Sequence, residues 1–178
     1  SENQVLIRQG RRRLARLTPQ VLETEPRHNS AIQRLDTSGR GLLDNLHWLT
    51  IPPQTLGTDQ VRIQVYAGGL NFRDVLNALG EYADGPVPFG GECAGIVVET
   101  GKKVTDLRPG DRVMAIAPHS LSSEVVVHSG LTRKVPDTID LANGAAQPIA
   151  YITAWYALDE LAHLQSGQSI LIHAAAGG

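Results

Sequence analysis

The sequence predicts a mainly β fold of the α+β class: a closed or strongly curled antiparallel barrel, then a bridging helix and the first strand of an α/β sheet. Two observations predict it. Between residues 29 and 148, short apolar runs recur between Gly, Pro and Asp turns, and VRIQV at residues 61–65 alternates in the manner of a half-buried strand. After them a helical pattern leads to SILIHAAAGG at residues 169–178, the order in which a helix hands the chain to a strand of a layered α/β sheet.

The elements follow in order. Residues 1–28 read as a connector: a strand at 4–8, a Gly turn, a second strand-like run, and a break at Pro26. Strands are expected at 31–35, 46–49, 61–67, 95–100, 112–116 and 123–127. Inside the barrel a helix is expected over residues 72–79, with Val75, Leu76 and Leu79 on one face and Gly80 ending it. A second helix is expected over residues 149–164, burying Ile152, Trp155, Tyr156 and Leu161. Ser166 and Gly167 then break it before the terminal strand. That strand enters a glycine turn, and such a turn normally leads to a helix whose amino terminus holds a pyrophosphate. The organisation is therefore a connector at 1–28, a barrel at 29–148, and the opening of a nucleotide-binding domain at 149–178.

Composition sets bounds. The 178 residues, 42% hydrophobic with 18 Gly and 10 Pro, are ordinary for a globular chain of one domain and part of another. The first residue is Ser, and the chain reads as excised from a longer polypeptide. No run approaches the length of a membrane span, no secretory leader is visible, and a cytoplasmic location without membrane association is expected. A net charge of -2 gives no reason to expect nucleic acid. Arg8, Arg11, Arg12, Arg13 and Arg16 crowd the first segment and read as a solvated strand and turn. The single cysteine, Cys93, excludes an internal disulfide and a cysteine-rich zinc site, and reads as a small buried apolar residue.

GLNFRDVL at 69–76, PFGGECAGIVVETG at 88–101, LRPGDRVMAI at 107–116, YITAWYAL at 151–158 and ILIHAAAGG at 170–178 together resemble the medium-chain dehydrogenase/reductase superfamily. More narrowly, they resemble the enoyl reductase domain of modular polyketide synthases and related fatty acid synthases. The resemblance implies a GroES-like barrel on the substrate side and a Rossmann domain that binds NADPH, of which this chain carries the barrel and the first strand. The resemblance is to the zinc-free branch. Where zinc-dependent relatives place a Cys and a His before Glu, this sequence has Asn71 and Gly91 before Glu92, so no metal is expected.

The resemblance also implies the chemistry: NADPH-dependent reduction of the α,β-double bond of an enoyl thioester carried on acyl carrier protein, beside neighbouring polyketide synthase domains. Enolate stabilisation and α-protonation both need groups. Tyr82 is the catalytic candidate, as proton donor or positioner of a water; a partly buried loop aromatic is the plainer account. Cofactor contacts are expected from Asn71, which also reads as a simple helix cap, from Thr153, whose hydroxyl could instead bond its own helix backbone, and from Ala176, Gly177 and Gly178 in the glycine turn. Arg73 and Asp74 read as an ion pair fixing the helix, with a ligand contact as the alternative. His173 reads as a packed strand residue, and His119 and His128 receive no role. A free-standing quinone oxidoreductase or enoyl-CoA reductase, and a non-catalytic docking module, are the alternatives. The chain alone is expected to be inactive and to bind NADPH negligibly.

Overall fold

The structure, a computed structural model, describes residues 5–8, 11–14, 31–83 and 85–173. The chain divides into two units, Ser1–Ser30 and Ala31–Gly178. In the first, β1 (Val5–Arg8) and β2 (Arg11–Leu14) form an antiparallel hairpin with Val5 opposite Leu14 and Arg8 opposite Arg11. Arg16 and Pro26 lie outside the described residues.

The second unit is built on antiparallel pairing. A hairpin of β3 (Ile32–Thr37) and β4 (Leu46–Ile51) precedes a five-stranded sheet in the order β8-β5-β6-β7-β9. Its strands are β5 (Gln60–Gly69), β6 (Glu92–Thr100), β7 (Arg112–Ile116), β8 (Glu124–His128) and β9 (Thr132–Lys134). The segment before β8 ties hairpin to sheet. Leu35 N donates to Leu121 O at 2.8 Å, Ser123 N to Gln33 O at 2.8 Å, and Val65 N to Ser123 O at 3.0 Å. Each strand expected between residues 31 and 127 is present, mostly longer than expected. β9 was not foreseen; it has three residues, two of them charged and exposed, and too little apolar pattern to register.

Alternation places the core. Val61 and Ile63 of β5, Cys93 and Val97 of β6, Val113 and Ala115 of β7, and Val125 and Val127 of β8 share one buried cluster with Leu107. Burying each valine or isoleucine contributes roughly 1.5–3 kcal/mol relative to exposure. Gly95 is required where β5 and β6 shift register between Val65 and Ala67, because a Cβ there would collide with the carbonyl of Gln64. Arg62 braces the outer face: its guanidinium donates to Glu99 at 2.8 Å, to Glu124 at 2.7 Å and to the Gln54 carbonyl at 2.7 Å. Cys93 is buried as expected, and desolvation, with the charge of Glu92, pushes its thiol up to about 12.

Helix α1 (Phe72–Leu79) has the expected bounds, and Gly80 ends it in the left-handed conformation at φ 75°. Its buried face differs from the expectation. Val75 and Leu79 are exposed, whereas Asp74, Asn77 and Ala78 point inward. The reason lies in the segment that returns to β6, whose backbone groups need partners. The Asp74 carboxylate accepts from Asn71 N at 3.0 Å and from Gly90 N at 2.9 Å. Asn77, fully buried, donates to Val87 O at 2.9 Å and accepts from Val87 N at 3.3 Å.

Helix α2 (Leu141–Ala145), also unforeseen, starts at Asp140, whose carboxylate accepts from Asn143 N at 2.8 Å. Gly144 lets it sit against Val135 and Ala94. Helix α3 (Pro148–Trp155) begins on a proline and passes into a π-helical turn, Tyr156–Leu161, rather than continuing as one helix to residue 164. Ile152, Trp155, Tyr156 and Leu161 are each at least half exposed, against the expected burial. Residues 169–172, expected as a strand, pair with no other described residue, and a strand without a neighbour has no ladder to hold it. His173 is exposed there instead of packed.

His119 sits between β7 and β8 with φ 63°, half-buried near Arg34 and Asp36. Burial first, then the Arg34 charge, lowers its pKa, and Asp36 opposes them. The unfolded chain therefore takes up this proton more readily. The stabilisation is complete above the unfolded value of about 6.5 and is lost as pH falls towards the lower folded value. We expect the urea midpoint to fall from pH 7.5 to 5.5 less steeply in His119→Asn, which tolerates the same backbone; equal slopes would contradict the assignment. Asn77→Asp replaces the donor facing Val87 O with a second acceptor. It should destabilise by about 1–3 kcal/mol in urea denaturation, and an unchanged midpoint would show that the clamp carries no weight.

Candidate functional site

The site is organised where α1, β6 and α3 begin. Asn71 caps α1 in an extended conformation and forms a capping box with Asp74. Its carboxamide does more than cap: Nδ2 donates to Glu92 Oε1 at 3.0 Å. The other oxygen of Glu92 accepts from Ile149 N, in the first turn of α3, at 2.8 Å. Glu92 opens β6 and is buried to 3% exposure. Gly69 is needed beside it, since a Cβ there would meet the Glu92 side chain and Ala145 O at 2.7 Å. One carboxylate thus joins the amino ends of two helices.

At Gly91, the position where the resemblance places a His in zinc-dependent relatives, a side chain would have no room. A Cβ at Gly91 would lie 2.9 Å from Ile149 Cδ1 and 3.1 Å from Arg73 Nη2, so those two side chains occupy the space. Arg73 approaches Asp74 only at 4.0 Å, and its buried Nε has no partner among the described residues. The expected Arg73–Asp74 pair is therefore a long one; the principal bonds of Asp74 go to backbone N–H groups.

The expected site residues fall out as follows. Asn71 and the helix that bears Thr153 are brought to the same carboxylate. Thr153 itself is exposed on α3, and among the described residues its hydroxyl makes no hydrogen bond, so the expected alternative of a bond to its own backbone is not what holds it. Tyr82 lies in the turn after α1, half-buried, with its carbonyl accepting from Gly85 N at 3.2 Å and its phenol unpartnered among the described residues. Ala176, Gly177 and Gly178 lie outside the described residues. Glu92 is the residue that sequence reasoning passed over, noted only as the neighbour of Gly91. An acid between two glycines and an apolar strand, GGECAGIVV, was the available signal, because a carboxylate in such a run has to be paired when buried. Met114, Ile116, Leu131, Pro148, Tyr151 and Ile152 line an apolar groove of about 260 Å³. None of the expected site residues lines it.

Comparisons with known proteins agree with this architecture. Residues 57–158 match the alcohol dehydrogenase GroES-like domain. The phenolphthiocerol synthesis polyketide synthase type I of Mycobacterium bovis is 42% identical over 180 residues, covering 99% of this chain and 8% of its own length. The CurK enoyl reductase superimposes with a TM-score of 0.73 at 34% identity, over 77% of this chain and 45% of that one. A mycobacterial protein solved in complex with NADPH superimposes with a TM-score of 0.69 at 28% identity, over 83% and 47%. This chain therefore spans less than half of those two solved structures and a small part of the synthase. It belongs to the alcohol dehydrogenase GroES-like domain family, in the form shared with the enoyl reductase domains of polyketide synthases.

Proposed function

We propose that this chain is the substrate-side half of an NADPH-dependent enoyl reductase, which reduces the α,β-double bond of an enoyl thioester on acyl carrier protein during polyketide chain extension. The observation that carries the reading is the Asn71–Glu92–Ile149 junction in a chain 34% identical to an enoyl reductase. It fixes a neutral carboxamide at the start of α1 and sets the helix that bears the exposed hydroxyl of Thr153. That donor set fits the carboxamide of a nicotinamide, which is itself neutral and both donates and accepts. Asn71 and Thr153 would hold that group from this half. When bound, NADPH supplies the hydride.

The residues of this chain then orient and protonate. Asn71, held by Glu92, limits the rotation of what it binds, a positioning contribution. The Tyr82 phenol, free of internal hydrogen bonds among the described residues, is available to donate a proton at the α-carbon or to hold the water that does. The neighbouring domains of a synthase are the proposed partners, through the carrier protein that delivers the thioester.

Two measurements test the reading in the intact reductase. With NADPH and a 2-methylcrotonyl thioester, NADPH oxidation above background is expected; oxidation with a quinone but not with the thioester would move the assignment to quinone reduction. Tyr82→Phe should slow turnover about 10²-fold or more, or change the configuration at the α-carbon. If rate and configuration both stay as in the wild type, Tyr82 is not the donor.

A further inference from the structure

We infer that Glu92 is a positioning residue for the nicotinamide end of the cofactor, acting through Asn71 and the start of α3. The inference rests on the reading of Asn71 and Thr153 as cofactor contacts. Its structural basis is the choice of a carboxylate at this point. Both partners of Glu92 are donors: Asn71 Nδ2 at 3.0 Å and Ile149 N at 2.8 Å. The carboxylate serves both at once, one oxygen to each donor. Because a carboxylate accepts and never offers a proton, it also dictates which way the Asn71 amide faces. Nδ2 is turned to Glu92, and Oδ1 is left on the side of the capping box.

The environment leaves Glu92 no alternative geometry. It is buried, it lies against Gly69, where even a Cβ would collide, and Ala145 O walls the same space. A carboxylate confined in this way transmits position: moving it shifts both the cap of α1 and the first turn of α3. Nothing else among the described residues hydrogen-bonds to both helix starts.

Glu92→Gln is the discriminating substitution because it keeps the shape and replaces one acceptor with a donor. Either Asn71 must turn its amide over, which sets Nδ2 against the capping box, or Ile149 N loses its acceptor. In the intact reductase we expect NADPH to bind about tenfold more weakly, read by nicotinamide fluorescence, while KM for the thioester is unchanged. On an Asn71→Ala background the same substitution should weaken binding only about threefold, since the route through Asn71 is gone and only the one through the start of α3 remains. Glu92→Asp, too short to reach both partners, should repeat the pattern and serves if Glu92→Gln folds poorly. Equal losses in the two backgrounds would show a merely structural carboxylate and overturn the inference, as would unchanged NADPH binding in folded Glu92→Gln. A wild type that binds NADPH yet reduces no enoyl thioester would refute the enoyl assignment alone, with the role of Glu92 still decided by the binding cycle.

Discussion

Buried polar groups must be paired, and in this chain that obligation shapes the site more than the hydrophobic core does. Asp74, Asn77 and Glu92 are all nearly removed from water, and each is spent on backbone or amide donors and acceptors from another segment. Asp74 holds the chain at Gly90. Asn77 holds it at Val87. Glu92 holds the starts of α1 and α3. The loop carrying Tyr82 is therefore bounded by α1 at one end and clamped at Val87 at the other, and its position follows from side chains that are themselves buried.

The barrel supplies the platform. Its apolar cluster occupies the interior between β5, β6, β7 and β8, and the register shifts along β5 bend the sheet where β6 leads back to Glu92. Gly95 permits one of those shifts, and Gly69 and Gly91 leave room for the groups that meet at the junction. Packing and chemistry are thus separated along the same strand: β6 contributes Cys93 and Val97 to the core and Glu92 to the site. The elevated thiol pKa of Cys93 marks the boundary, an inert group one residue from the carboxylate.

The alternation of VRIQV and the left-handed Gly80 were legible because each is a local preference, decided within a few residues. The inward face of α1 was not. Asp74 reads as a local partner of Arg73 and Asn77 carries no signal in one dimension, because their partners at residues 90 and 87 come close only after the chain folds back. Glu92 escaped for the same reason: its two donors lie 21 and 57 residues away. Helix α2 was hidden by the poor helical preference of Asn143 and Gly144, which the Asp140 cap and the Val135 contact override. The apolar residues of α3 read as a buried face because periodicity reports which residues share a side and not whether anything covers it.

The most direct test of the central claim is a crystal structure of the intact reductase with NADPH bound. The Asn71 carboxamide is expected within hydrogen-bonding distance of the nicotinamide carboxamide, with Glu92 still bridging Asn71 Nδ2 and Ile149 N. A nicotinamide bound beyond the reach of both Asn71 and Thr153 would contradict it.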